Sequence, residues 1–471
     1  MILWTSGKSL LTGMIGFALP LVYKYAIPPT SILPGKGACV ANGTIKAIRK
    51  VVRQGLRRLL AALPRQTRFA VYRSFVDCDP APSSRLVLKI ADTRQELEAC
   101  FSLLHDAYVD AGFMKPDPSG MRVTIYHALP TTTTLCAKWD GEVVGTISLI
   151  RESAFGFPLQ KIFDLSAVRL KGGNLAEVSA LAVHPKFRKT GGAILFPLMK
   201  FMYEYATAYF DTRHLLIAVN PNRIEMYESL LFFERLTANI VDKYDFANGA
   251  PAVGAALDLH QAPTVMAPAY AGKAPRKNLL AYFTEVRLAN VQLPNRRYFT
   301  TNDPVLTPQL LDFFFNQATE GFVNLDPRKK ALLHSIYDLP AYRDILPDFP
   351  EQGGGVHLRQ HRRFSVKCPG RMSVDGGSEF ELQVIEVSEY GFQAYAREGL
   401  PLNVWSSATV HLGRSEVSVV KALAVRDKAN GFNGFYGFRV GEPDLIWRKF
   451  VSALENGHTH EDLEHSTMFL A

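Results

Sequence analysis

The chain has 471 residues, of which 47% are apolar and 21% charged. This is ordinary globular composition at a length that asks for two or three domains rather than one core. The formal charge of +9 is local: residues 1–75 hold twelve of the 53 Lys and Arg and no Asp or Glu, so the remaining 41 bases face 44 acids. Basicity therefore belongs to one tail and implies nothing about the partners of the folded domains.

Cys39, Cys78, Cys100, Cys136 and Cys368 stand singly with no CxxC, and the twelve histidines show no ligand spacing. No metal site is expected, and the pattern suits reduced thiols in a cytoplasm.

The first apolar run, 10–23, is broken by Gly13, Gly16 and Pro20 and stopped by Lys24. It is shorter than the roughly 20 residues a spanning helix needs. Lys8 before an apolar stretch also fits a signal peptide, but Cys39 lacks the upstream apolar residue of a lipidation site. A cytoplasmic protein is the expectation. Over 44–63, Ile45, Ile48, Val52, Leu56, Leu59, Leu60 and Leu63 fall on one helical face with the bases opposite. Such a helix either lies on a membrane surface, here the inner membrane, or docks on the protein. Nucleic acid is the weaker partner, since no aromatic residues interleave these bases.

From 85 the pattern becomes regular. A strand over 86–90 precedes a helix opened by Asp92 and Gln95 in a capping-box pattern, with Leu97, Phe101, Leu104 and Tyr108 on one face. Strands over 134–139 and 142–150 flank Asp140-Gly141, a hairpin signal. A strand over 177–183, a glycine turn and a helix from Ala193 to about 209 follow. Next come a strand over 215–219 and a helix over 221–231. The order predicts one mixed α/β sheet, extended by a strand over 252–257 and helices near 308–319 and 328–337. The Pro/Ala-rich stretch 262–275 reads as a mobile loop, and Gln352 to Gly355 as a flexible joint. Beyond it, strands over 371–374, 380–387, 392–395, 408–412, 417–425 and 436–440 predict a small antiparallel barrel, closed by a helix from Asp444 to about 454.

The turn Arg188-Lys-Thr-Gly191-Gly192-Ala193 links a strand to a helix start. Small residues there let a ligand approach the backbone, helix-start amides suit an anion, and Arg188 adds charge for phosphate. It resembles the pyrophosphate-binding motif of the Gcn5-related N-acetyltransferases, with Arg188, Gly191 and Ala193 at the matching positions. A second family motif lies at Asn220-Pro221 and Tyr227, although Leu231-Phe232-Phe233 lacks the family's glycine. Phe101 to Phe113 and Glu177-Val-Ser179 are most similar to the long-chain N-acyl amino acid synthases, relatives of the acyl-homoserine-lactone synthases. Ala180 replaces the arginine of the lactone synthases, and Ser102 and Leu104 stand in the first helix; both depart from the lactone-forming pattern.

That resemblance implies direct attack of an amine on a pantetheine thioester, with acyl carrier protein or acyl-CoA as donor and an amino acid as acceptor. Glu177 would be the general base and Tyr227 the proton donor to the departing thiolate. Leu181, Val183, Arg188, Gly191, Gly192, Ala193 and Asn220 would bind the acyl donor, with strand amides holding the oxyanion. Tyr227 as plain core and Glu177 as an ordering residue remain open, as does an acyl tunnel along Leu195, Leu198, Met199, Met202 and Tyr205 against plain core packing.

In the last part, Arg359, Arg362 and Arg363 precede Glu386, Ser388 and Gly391. Guanidinium forks suit phosphates and purines. The pattern resembles the PilZ domain, which implies cyclic di-GMP as a regulator; Glu386 stands where that family has Asp or Asn, which lengthens the carboxylate arm. The expected organisation is a basic segment 1–84, an acyltransferase domain 85–345, a linker 346–356, a barrel 357–455 and a tail 456–471. Two other functions remain open: a catalytically inactive cyclic di-GMP effector at the membrane, and an acetyl-CoA-dependent N-acetyltransferase.

Overall fold

The computed structural model describes residues 62–455 except 154, 189, 295–296, 301–302, 304–305, 338–339, 349–362, 375–377 and 428–433. Most of the basic helix over 44–63, the joint at 352–355, Arg359, Arg362 and the tail 456–471 lie outside the described residues. The chain divides into two units, Met1–Arg68 and Phe69–Ala471, and both the α/β sheet and the barrel belong to the second. Among the described residues no helix is long and apolar enough to cross a membrane, and no cluster of His, Cys, Asp or Glu is placed to hold a metal.

The α/β part begins with β1 (Leu86–Ile90) and α1 (Arg94–Ala111). Its cap is Thr93, whose hydroxyl accepts from the Glu96 amide at 3.3 Å, not Asp92 as expected. A Thr three residues before a Glu is the better capping box, and the Glu96 carboxylate accepts in turn from the Asp92 amide. Gly112 at φ 75 ends the helix. The hairpin of β2 (Thr132–Trp139) and β3 (Glu142–Arg151) turns on Asp140 and Gly141, both at positive φ, as a tight two-residue turn requires.

Then come β4 (Asn174–Val183), α2 (Leu195–Phe210), β5 (Thr212–Val219) and α3 (Pro221–Leu231). The short strands β6 (Glu234–Arg235) and β7 (Val241–Tyr244) precede β8 (Ala250–Asp258). The sheet order is β1-β2-β3-β4-β5-β8-β6, with β7 paired to β8. Only β4 and β5 run parallel, joined by the α2 crossover.

Two apolar layers sandwich the sheet. One packs Leu198, Phe201, Met202 and Tyr205 of α2 against Leu135, Ile147, Leu149 and Leu215. The candidate tunnel residues Leu198, Met202 and Tyr205 are thus core, and the Tyr205 hydroxyl donates to Asp303 at 2.5 Å. The other layer packs Leu97 and Phe101 of α1 with Ile150, Leu175, Leu216 and Phe314. The stretch expected to be a mobile loop is instead α4 (Ala262–Tyr270). Its first proline sits in the opening turn, where no amide partner is lost, and buried Met266 and Tyr270 hold it to the core despite Pro268.

The C-terminal part is a closed antiparallel barrel of β9 (Phe364–Val374), β10 (Ser378–Ser388), β11 (Gly391–Tyr395), β12 (Trp405–His411), β13 (Val417–Arg426) and β14 (Phe435–Val440). β9 starts seven residues before the expected 371, because Phe364 and Ser365 already pair with β10. The closing helix, α5 (Leu445–Glu455), begins after Asp444, whose carboxylate caps it by accepting from the Trp447 amide. Trp447 plugs the barrel and its indole donates to the Ser388 and Glu389 carbonyls, both at 3.1 Å. The segment from Arg297 to Asp303 ties the barrel to the α/β part. The Phe299 amide donates to the Leu412 carbonyl, and the Phe299 carbonyl accepts from the Lys367 amide. Asp303 then reaches Arg151 at 3.2 Å on β3.

Candidate active site

β4 and β5 pair only from Asn174 to Glu177 against Thr212 to Leu216. Beyond Glu177, β4 keeps β3 as a neighbour and β5 diverges, so the sheet opens into a fork with Glu177 at its root. A bulge follows: Thr146 and Ser148 face Ala182 and Ser179, an extra residue on β4, with Ala180 at φ 54. Bulges re-aim side chains and free backbone groups of a strand.

Glu177 is 2% exposed. Its Oε2 accepts from the Leu159 amide at 3.1 Å. Burial outweighs that bond and pushes its pKa up to about 8. A carboxyl poised near neutral pH is suited to general-base work.

Around it the fold gathers side chains that sequence spacing did not single out for the site. The charge of Glu177 bears on Tyr108 from α1, on Tyr126 from the 3-10 turn Ile125–Ala128, and on Tyr244 from β7. Burial raises all three phenols, Tyr126 to about 12, so they stay protonated. Arg122 lies over the Tyr108 ring at 4.2 Å and the Phe246 ring at 5.0 Å. His127, beside Phe101, is held neutral by burial and by Arg122, its pKa pulled down to about 3. The Ser148 hydroxyl, on β3 opposite Ser179, is buried with no hydrogen-bond partner among the described residues. Nothing in the spacing of Arg122, Tyr126 and Tyr244 announces them; the first two share one stretch after α1, and Tyr244 comes from β7.

Tyr227 on α3 packs edge-on against Phe233 at 5.9 Å. Burial raises its pKa, and Tyr108 is among its electrostatic neighbours. Tyr108 is thus an electrostatic neighbour of both expected catalytic side chains.

The glycine turn is built differently from its expectation. The helix starts at Leu195, two residues later than expected, with Ile194 as its N-cap, after Gly191 and Gly192 at φ 69 and 98. The Phe196 ring would sit 2.5 Å from a Cβ at Gly192. Arg188 is exposed, donates from Nε to the Val183 carbonyl at 2.8 Å and lies 3.8 Å from Asp110. Asn220 caps α3 by accepting from the Asn222 amide at 3.0 Å. Leu181 and Val183 lie on β4 beyond the fork. Asp77, paired with Arg276 at 2.8 Å, stands beside Gly191 and adds an ion pair to this end.

In the barrel, Arg363, Glu386, Ser388 and Gly391 line one cleft of about 360 Å³ with Phe392, Gln393, Arg426 and Phe438. Arg363 pairs with Glu386 at 2.6 Å, and the Ser388 hydroxyl donates to the Gly391 carbonyl at 3.0 Å. A Cβ on Gly391 would meet the Phe438 carbonyl at 2.8 Å, so the strand pairing there needs glycine. Phe392, Gln393, Arg426 and Phe438 are cleft residues that the sequence patterns did not mark.

Comparison with known proteins bears on the α/β part. The family model described as N-acyl amino acid synthase FeeM matches residues 99–258. Among solved structures, FeeM, an N-acyl amino acid synthase from uncultured soil microbes, is similar at 27% identity over 38% of this chain and 94% of that one, with a TM-score of 0.33. The AHL synthase LasI is similar at 15% identity over 38% and 91%, TM-score 0.29. The CoA-dependent acyl-homoserine lactone synthase BjaI is similar at 18% identity over 42% and 97%, TM-score 0.29. No curated protein matches the chain. The matched segment contains Glu177, Tyr227, Arg122 and Tyr244, and its family description makes the α/β part of this chain an acyltransferase.

Proposed function

We propose that the protein transfers a long-chain acyl group from a pantetheine thioester to the amine of an amino acid, under control of cyclic di-GMP bound at the barrel. The observation that carries the catalytic half is the buried Glu177 at the root of the fork, inside the segment that the N-acyl amino acid synthase family model matches.

The amine enters as an ammonium and loses a proton to Glu177, directly or through water. Its nitrogen then attacks the thioester carbonyl. Amides of β4 past the fork face the developing oxyanion, where pre-aimed donors stabilise charge at little reorganisation cost. The tetrahedral intermediate collapses with cleavage of the C–S bond; the Tyr227 phenol supplies the proton to the departing thiolate and is restored by the second proton that the nitrogen loses. The products are an amide and free pantetheine thiol. The donor's phosphate would rest at Gly191-Gly192-Ala193, with Arg188 at the mouth and Leu181, Val183 and Asn220 along the pantetheine arm. Acyl carrier protein is the expected donor, and acyl-CoA the second.

The regulatory half is supported by the convergence of Arg363, Glu386, Ser388 and Gly391 on one cleft. The residues present fit an anionic purine ligand: a guanidinium for phosphate, a carboxylate and hydroxyl for base edges, and Phe392 and Phe438 in the wall. β9 begins directly after Arg363 and is hydrogen-bonded to 299–300. That segment leads to Asp303 and Arg151 on the catalytic sheet, which supplies the two sites with a contiguous connection.

Mass spectrometry of lipids from a host expressing the chain tests the proposal. N-acyl amino acids present with the native chain and absent with Glu177→Gln support it. Acetylated amines alone would favour acetyl-CoA as donor, and no new amide with any acceptor would leave the chain an effector without chemistry.

A further inference from the structure

Asp303 gathers more donors than a residue of a connecting segment needs. Its side chain is 12% exposed and accepts from the Tyr205 hydroxyl at 2.5 Å, from Arg151 Nη2 at 3.2 Å and from the Thr133 hydroxyl. Its amide donates to the Pro130 carbonyl at 2.9 Å, and Arg151 donates to the same carbonyl at 2.7 Å. Thr133, Arg151 and Tyr205 stand on β2, β3 and α2. Arg151 pairs with Ala176 on β4, next to Ile150, which faces Glu177. Its guanidinium lies 3.6 Å from the ring centroid of Phe210, the last residue of α2. One carboxylate therefore holds both sides of the fork: β3 with β4 on one side, the α2 crossover to β5 on the other. Arg151 is buried, and separating a buried guanidinium from its carboxylate is costly.

The barrel fixes the chain just before Asp303. Tyr298 is 3% exposed and packs on Phe450 of α5, with ring centroids 4.8 Å apart. Phe299 is bonded on both sides, its amide donating to the Leu412 carbonyl and its carbonyl accepting from the Lys367 amide, each at 2.9 Å. Tyr298 and Thr300 bridge Gly413 and Val366, so 297–300 lies as a short extra strand beside β9 and the turn after β12. Arg297 pairs with Glu416 at 2.7 Å, and a Cβ on Gly413 would run into the Arg297 carbonyl. A second tie runs in parallel, from Lys367 on β9 to Asp211 after α2 at 2.9 Å.

From this juxtaposition we infer that Asp303 is a positioning residue for acyl transfer, set in place by the barrel, so that the barrel is a working part of the acyltransferase even with no nucleotide bound. The inference rests on the acyl-transfer proposal and goes beyond its regulatory half, because it needs no ligand. Amine and thioester react only when well aligned, and a misplacement of about 1 Å can cost about 100-fold. The fork opens where β4 and β5 part, at Glu177. Releasing Arg151 and α2 from Asp303 lets it widen, which spoils that alignment and admits water. Water attacking in the amine's place forms a C–O bond, breaks the C–S bond and leaves a carboxylic acid and the same thiol. A loosened fork is therefore read as thiol released in excess of amide. Asp303 touches no reacting atom and acts through Arg151 and Tyr205.

The test uses purified full-length chain, long-chain acyl carrier protein and an amino acid, without nucleotide, and counts thiol and amide together. Wild type is expected to release one thiol for each amide. Asp303→Asn is expected to lower kcat/KM for the amide about 10- to 100-fold and to release more thiol than amide. Gly413→Ala, which wedges 297–300 away from the barrel, is expected to shift both in the same direction. In the Asp303→Asn background it is expected to add little, since coupled sites are not additive. The thiol-to-amide ratio does not depend on how much of a preparation is folded. A ratio that stays at one in Asp303→Asn, or effects of the two variants that simply add, would overturn the inference. If wild type acylates no amine, the acyl-transfer proposal itself has failed, and hydrogen exchange then decides whether the barrel holds the sheet. The Arg151 amide, bonded to the Thr131 carbonyl at 2.8 Å, is expected to exchange faster in Gly413→Ala; exchange as slow as in wild type would overturn the coupling.

Discussion

The two halves of this chain present their sites differently. In the barrel, Glu386, Ser388 and Gly391 lie on one hairpin, and Arg363 opens the strand that pairs with it. Local pairing is enough to bring them together, so four residues marked by spacing share one cleft. In the α/β part, the marked residues disperse. Glu177 is buried at the root of the fork and Tyr227 packs on Phe233, while Arg188 bonds its own strand and Asn220 caps its own helix. The tyrosines that feel the Glu177 charge come from segments far apart in the chain. A site built within one hairpin is visible to motif spacing, and a site built across a sheet is not.

The largest effect that bears on this contrast is expected at Glu177. Glu177→Gln should lower kcat/KM roughly 10²- to 10⁴-fold and leave nucleotide binding by the barrel unchanged. Equal loss at both sites would mean that the residue supports the fold instead. The same residue predicts a stability effect. Its folded pKa of about 8 stands above the ordinary 4.5, so the folded chain holds this proton more tightly than the unfolded one. Its contribution to stability is therefore greatest at low pH and is lost as pH rises from about 4.5 through 8. Unfolding titrations in urea should show Glu177→Gln flattening that slope by a few kcal/mol.

At the barrel, Arg363→Ala should weaken cyclic di-GMP binding roughly 10- to 100-fold by calorimetry, with acyl transfer in the absence of nucleotide unaltered. Gly192→Ala probes the α/β side through the backbone. A residue forced to φ 98 against the Phe196 ring should cost about 1–3 kcal/mol in thermal unfolding. Tyr227→Phe carries the smallest expected effect, about tenfold in kcat with KM little changed, as suits a proton donor whose place water can take in part.

Much of the architecture was legible in the sequence because local signals agreed with the global fold. Asp140-Gly141 marked its hairpin, Pro221 opened its helix, and alternating strands gave the barrel. The Pro/Ala-rich segment misled because Pro263 falls in the first turn of a helix, where it is tolerated, and buried Met266 and Tyr270 outweigh Pro268. The cap at Thr93 was missed by one residue, within the usual blur of helix ends. Arg122, Tyr126 and Tyr244 carry no spacing signal, since their partnership exists only after β4 and β5 separate. Arg426 joins its cleft through a bulge between Ala424 and Arg426, which no alternation pattern records.

The central claim is acyl transfer at the fork, and a reconstituted reaction tests it most directly. Purified chain is mixed with a long-chain acyl carrier protein and an amino acid, and amide and free thiol are counted together. One amide is expected for each thiol released, at a rate that rises with pH toward about 8 and collapses in Glu177→Gln. Thiol release without amide, or amide formation that Glu177→Gln leaves untouched, would contradict it.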